Sequence, residues 1–351
     1  MRIDDIPAEA LSGFRRGGVI PAHPLALDAT RALDERRQRA LTRYYLDAGV
    51  VGLAVGVHTT QFAIRDRGLL RPVLELATGE ARGWSAKSPL LIAGAVGSTN
   101  QAVTEAQLAA DLGYHAVLLS LAGRKGGVDE LIAHCRRVAE VMPVVGFYLQ
   151  PAAGGRVLPY EFWRAFSELD NVLGIKIAPF NRYRTLDVIR GVIDAKAEGR
   201  IALYTGNDDH IVADLLTPFE IRRDDALIRV RIVGGLLGHW AVWTRRAVEL
   251  VERIRALDEG AAIGPEWLTL DAATTDCNAA FFDAENDYAG CIAGLHEVLR
   301  RQGLFEGIWC LDEAEGLGPG QADAIDRVCR DYPDLNDDDF VRANLDRWFR
   351  T

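Results

Sequence analysis

Lys176 stands in the apolar run Val172-Leu173-Gly174-Ile175-Lys176-Ile177-Ala178, between Asn171 and Pro179. Such a run reads as a buried strand, where an ammonium is costly. Burial then lowers the lysine pKa and leaves a neutral amine able to attack a carbonyl and form a Schiff base. The earlier stretch Pro143-Val144-Val145-Gly146-Phe147-Tyr148-Leu149-Gln150-Pro151 reads as another buried strand, with Tyr148 near its C-terminal end. In a parallel barrel the C-terminal ends of adjacent strands converge on one mouth, which predicts that Tyr148 and Lys176 meet. Each residue has a plainer reading beside this one. A strand lysine can sit at an edge or solvent-facing position, and a strand tyrosine can be core packing.

Other strand ends deliver further polar groups. One candidate strand ends in Gly56-Val57-His58-Thr59-Thr60-Gln61, another in Thr205-Gly206-Asn207-Asp208-Asp209-His210, and a third in Gly234-Gly235. Gly206 allows close backbone approach and opens a helix whose first amides suit an anion, while Gly235 leaves room for a ligand. His58, His210 and His239 with Asp208 or Asp209 are an alternative set for a metal. The first strand, however, ends in His23 without a His-x-His pair, and an amine suits Lys176 better, so no metal is expected. Trp240, Trp243, Trp267, Phe281 and Phe282 are read chiefly as packing residues. Asp283, Asn286 and Asp287 stand either at the mouth or at a capped helix break.

These groups need elements to hold them. Strand patterns at 18–22, 50–57, 89–97, 115–121, 144–149, 172–177, 201–205 and 229–235 alternate with helix patterns at 33–48, 69–79, 100–112, 128–141, 159–169, 185–198, 208–216 and 244–256. Eight strands alternating with helices predict an α/β fold, the TIM (β/α)8 barrel, over residues 1–258. The absence of G-x-G-x-x-G after the first strand argues against a dinucleotide-binding sheet. Residues 259–351 carry helix patterns at 274–282, 286–302, 321–329 and 338–349 and are read as a C-terminal helical extension.

Composition narrows the function classes. The chain has 351 residues, 49% of them hydrophobic, enough for a large core. Its net charge of −10 argues against nucleic acid or an anionic membrane as partner. The acidic start has no apolar leader, and the longest apolar run, 48–57, is too short to span a bilayer, so a cytoplasmic location is expected. Cys135, Cys277, Cys291, Cys310 and Cys329 form no C-x-x-C pair and are odd in number, which suits reduced thiols.

The order of a Thr-Thr turn after the second strand, Tyr148 in a Y-x-x-P strand end, Gly174-Ile175-Lys176 in the next strand and Gly206-Asn207-Asp208 after the seventh resembles the dihydrodipicolinate synthase/N-acetylneuraminate lyase family of class I aldolases. The resemblance spans about residues 18–235. It implies a small-molecule 2-oxo acid such as pyruvate bound as a Schiff base to Lys176, with Tyr148 relaying protons and Thr59, with Thr60, binding the carboxylate. It also implies no cofactor or metal, and a homo-oligomer, dimer or tetramer. Gly206, Asn207, Asp208 and Gly235 are expected to line the site. The family's Gly-Thr-Thr-Gly-Glu turn is altered here. In one register His58 replaces the threonine of the proton relay and is a second acid/base group; in the other it replaces the first glycine.

Two further departures bear on substrate. The stretch Leu119-Ser120-Leu121-Ala122-Gly123 lacks the tyrosine pair that often follows this strand in the family. Ala153 stands where members of the lysine pathway place an arginine, although Arg156 lies close by. The expected function is therefore a Schiff-base lyase, aldolase or dehydratase of a 2-oxo acid or sugar-acid-derived substrate, not dihydrodipicolinate synthesis itself. The rival reading is a noncatalytic, metabolite-binding member of the same fold.

Overall fold

Apolar strands that alternate with amphipathic helices must bury both faces of their sheet, and here they do so by closing it. A computed structural model describes residues 1–85, 87–258 and 260–350. Its strands are β1 (Val19–Pro21), β2 (Gly52–Val55), β3 (Leu90–Ala95), β4 (Ala116–Leu119), β5 (Val144–Leu149), β6 (Val172–Ala178), β7 (Ala202–Thr205), β8 (Pro218–Arg223) and β9 (Ala226–Leu237). Eight are parallel, in the order β1-β9-β7-β6-β5-β4-β3-β2, and a parallel bridge between Ala22 and Ala54 joins the two ends. The molecule is the TIM barrel expected, with helices following it.

The helices are set by local signals. Asp34 accepts a hydrogen bond from the Arg37 amide at 3.0 Å and starts the helix Glu35–Ala48, which ends at Gly49 in the left-handed region. Ser98 and Asn181 cap the helices Thr99–Asp111 and Arg182–Asp194 in the same way. Strand residues then divide by parity. Val55, Val117, Ile175 and Ile177 pack outward against helices, while Ala54, Ile92, Leu118 and Phe147 face the barrel interior.

Two elements are absent from the sequence expectations. Strand β8 forms a hairpin with the first half of β9, and only Phe219, Ile221 and Arg223 of it are half-buried, too little apolar patterning to read as a strand. The helix Ala8–Arg16 closes the bottom of the barrel: Phe14 is fully buried among interior strand residues, its ring 4.7 Å from that of Tyr204. The Tyr204 hydroxyl donates to the Phe14 carbonyl at 2.7 Å. A Cβ at Gly174 would lie 2.9 Å from the Phe14 ring, so glycine there makes room for the plug.

The later helices, Pro265–Phe282, Cys291–Arg301, Gln321–Asp331 and Asp338–Trp348, pack on the barrel. The first begins nine residues earlier than expected. The next begins at Cys291 rather than 286, because Asp283, Asp287 and Tyr288 take positive φ and break the helix. The Tyr44 hydroxyl donates to Asp337 at 2.7 Å and accepts from the Thr244 amide at 2.7 Å, tying the last helix back to the barrel. No helix among the described residues is long and apolar enough to cross a membrane.

Removing the plug ring should be costly. Phe14→Ala is expected to lower stability by about 3–5 kcal/mol in urea unfolding, against a loss under about 1 kcal/mol if the helix only rested on the surface.

Candidate active site

The parity of β6 decides where its lysine goes. Ile175 and Ile177 face outward, so Lys176 projects into the barrel, with Phe147 of β5 and Tyr204 of β7 as its cross-strand partners. Its Nζ sits 4.4 Å from the centre of the Phe147 ring. Among the described residues no hydrogen bond or ion pair engages it. Burial lowers its pKa, and the Asp208 carboxylate and the Cys291 thiolate form oppose that shift. Lys87, Lys125 and Lys196, the other lysines of the chain, are exposed.

Asp208 follows β7 and is buried, with Oδ1 lacking any hydrogen-bond partner. Burial raises its pKa, while Lys176 and the His239 amide lower it. The two groups therefore stand as a buried acid and amine whose charges each depend on the other. Gly206 makes their approach possible: a Cβ there would lie 2.6 Å from Lys176 Cε and 2.8 Å from the Ala178 Cβ.

A cavity of about 340 Å³ opens over this pair. Of the catalytic and substrate-binding residues expected from the sequence, Lys176, His58, Thr59, Gly206 and Asp208 line it together. His58 is half-buried beside Phe62, and desolvation, followed by the Lys176 charge, lowers its pKa to about 4, so its imidazole is neutral near pH 7.

The others lie outside the lining. Tyr148 is on the outward face of β5, its ring 5.2 Å from Trp163 and its hydroxyl accepting from the Leu158 amide at 3.2 Å. The expected meeting of Tyr148 and Lys176 does not occur, because adjacent strand residues face opposite ways and the register pairs Phe147 with Lys176. The Thr60 hydroxyl is spent on the turn: it donates to the His23 carbonyl at 2.6 Å and accepts from the Gly56 and Val57 amides. Thr59 likewise donates to the Ala22 carbonyl at 2.7 Å. Asn207 joins two loops, accepting from the Phe180 amide at 3.0 Å and donating to Asp214 at 2.9 Å. Gly235 packs under Trp240, where a Cβ would meet the indole at 2.4 Å, and Gly238 takes its place in the lining.

Sequence reasoning missed Phe147, Gln150, Phe180, Tyr288 and Cys291, which complete the wall with Phe282 and Asp287. Phe147 was recoverable only with the strand register in hand. Tyr288 and Cys291 come from the C-terminal segment, and Asp287 beside them is at the mouth, one of the two readings given for it. His210 instead faces Asp271 at 3.5 Å, and no group of three His, Cys, Asp or Glu among the described residues is arranged to hold a metal.

If the Tyr148 hydroxyl acts only in packing, Tyr148→Phe should cost about 1 kcal/mol of stability and leave the rate of any lysine-dependent reaction of pyruvate within about threefold, measured by unfolding and by kinetics. A hundredfold loss would return the hydroxyl to the chemistry.

The profile of the dihydrodipicolinate synthetase family matches residues 15–218. No curated protein sequence matches the chain. Among solved structures, a dihydrodipicolinate synthase from Oceanobacillus iheyensis is 16% identical and superposes with a TM-score of 0.73, over 93% of this chain and 99% of its own. An N-acetylneuraminate lyase from Fusobacterium nucleatum is 17% identical, with a TM-score of 0.69 over 90% and 99% of the two chains. A dihydrodipicolinate synthase from Acinetobacter baumannii, solved with pyruvate, is 19% identical, with a TM-score of 0.73 over 90% and 98%. At these identities the likeness is one of fold.

Proposed function

This chain belongs to the dihydrodipicolinate synthetase family of class I, Schiff-base aldolases, and on that premise we propose that it is a lysine Schiff-base lyase, aldolase or dehydratase of a 2-oxo acid such as pyruvate. The observation that carries the reading is Lys176, a buried amine with no hydrogen-bond partner among the described residues, lining one cavity with Asp208, whose buried Oδ1 is also unpartnered.

In this reading the neutral amine adds to the carbonyl carbon. The carbinolamine then loses water with a proton supplied by Asp208, whose raised pKa keeps it partly protonated near neutral pH. The imine draws electrons from the adjacent carbon, so that a bond to it can form or break. Thr59 and His58 stand at the strand-two end of the cavity, and His58 enters as a neutral acceptor. Phe147, Phe180 and Phe282 keep water from the imine.

The lining also bears on the second reactant. It holds two carboxyl groups, Asp208 and Asp287, and no arginine among the described residues. Arg156 spends its guanidinium on the carbonyls of Arg124 and Gly126 at 2.8 and 3.1 Å. A partner with its own carboxylate would find no cation, so an uncharged carbonyl compound fits better than aspartate semialdehyde. A second reading is favoured by one feature, the outward Tyr148 hydroxyl: the chain would bind a 2-oxo acid without turnover.

Pyruvate with sodium borohydride should leave one reduced carboxyethyl group on the Lys176 peptide, read by mass spectrometry. Lys176→Ala should take up none, and equal labelling of that variant on Lys87, Lys125 or Lys196 would contradict the assignment. The pH dependence has a definite sign. The neutral amine is the reactive form, so labelling should rise with pH through a midpoint below that of free lysine. Asp208→Asn removes a carboxylate that favours the ammonium, and the midpoint should fall further; an upward shift would contradict the pairing.

A further inference from the structure

Schiff-base chemistry of this kind needs a group that moves protons to and from the carbon beside the imine. Tyr148 does not line the cavity, and among the described residues Tyr288 is the only tyrosine that does. It arrives from the segment between the helices Pro265–Phe282 and Cys291–Arg301, far in sequence from the strand ends that supply the rest of the site.

The segment is built at a cost. Asp283, Asp287 and Tyr288 have φ of 56°, 53° and 67°, and the bulky side chain of Tyr288 is strained in the left-handed region. The surrounding bonds hold it there. The Tyr288 amide donates to the Asp283 carbonyl at 3.0 Å, the Gly290 amide to Asp283 Oδ2 at 3.0 Å, and the Cys291 amide to the Tyr288 carbonyl at 3.2 Å. Gln321 donates to the Gly290 and Phe281 carbonyls at 3.1 and 3.2 Å, clamping both sides of the turn. Packing alone does not explain the strain, because the ring is only half-buried and its one aromatic contact among the described residues is an edge with Phe180 at 6.1 Å.

We propose that Tyr288 is the proton-transferring phenol of this site, delivered to the barrel mouth by the C-terminal segment. The inference rests on the Schiff-base reading of Lys176. The Gln150 side chain faces its hydroxyl, and the carboxylates of Asp209 and Asp208, after burial, keep it in the phenol form. In the pyruvyl iminium, the C3–H bond breaks, its electron pair becomes the C2–C3 double bond, and the C=N pair returns to nitrogen. The proton passes to the Tyr288 oxygen as the phenol releases its own, through water, to the Asp208 carboxylate. The reverse passage returns a proton to C3.

The test needs no second reactant. The full chain is incubated with pyruvate in D2O, and exchange of the methyl protons is followed by proton NMR beside borohydride trapping. The wild type should exchange and form the Lys176 adduct. Tyr288→Phe, which keeps the ring, should retain the adduct and exchange at least about a hundredfold more slowly. Exchange within about threefold of wild type would overturn the proposal, as would loss of the adduct in step with exchange, which would mark Tyr288 as part of the wall only. A wild-type protein that forms no adduct would instead overturn the Schiff-base reading, and this inference with it.

Discussion

An amine placed inside a parallel barrel loses its hydration, and the structure around Lys176 is arranged about that loss. The residue sits on the inner face of β6, over the Phe147 ring and above an interior sealed from below by Phe14 and Tyr204. With water kept out beneath it and aromatic rings around it, the ammonium is destabilised and the amine favoured. Asp208 keeps the shift from running further, which leaves a group able both to attack and to be protonated.

Around this pair the neighbouring residues serve position. Gly206 lets the β7 loop pass against the lysine stem, and Asn207 ties that loop to the Phe180 backbone. Thr59 and Thr60 fasten the turn after β2 to the carbonyls at the end of β1, so that His58 is held at the rim. The C-terminal helices are more than an outer layer. The turn that joins two of them lays Asp287, Tyr288 and Cys291 into the wall, so the cavity is shared between barrel loops and tail.

The barrel was legible in the chain because each inner strand is a short apolar run and the segments between are amphipathic helices, three of them started by the caps Asp34, Ser98 and Asn181. Lys176 was legible because a single charge in such a run has few structural excuses. What could not be read is parity. Tyr148 and Phe147 are neighbours, and only the pairing of Phe147 with Lys176, after a register shift at Val144 and Val145, decides which of them faces the cavity. Thr60 and Asn207 have the chemistry of ligand-binding residues, yet their polar atoms are consumed by backbone and loop partners that the sequence does not reveal. Tyr288 was hidden differently: its position depends on a left-handed turn held by contacts from Gln321, more than thirty residues away.

The claim on which all of this depends is that Lys176 rests as an easily deprotonated amine before any substrate binds. The chain has only four lysines, Lys87, Lys125, Lys176 and Lys196, so carbon-13 labelling at the lysine ε position yields a spectrum simple enough to titrate residue by residue. The resonance missing from Lys176→Ala should titrate clearly below the value of about 10.4 for a lysine free in water. A Lys176 resonance that titrates at that free value would contradict the account, because a lysine that behaves as though in water is not the buried nucleophile described.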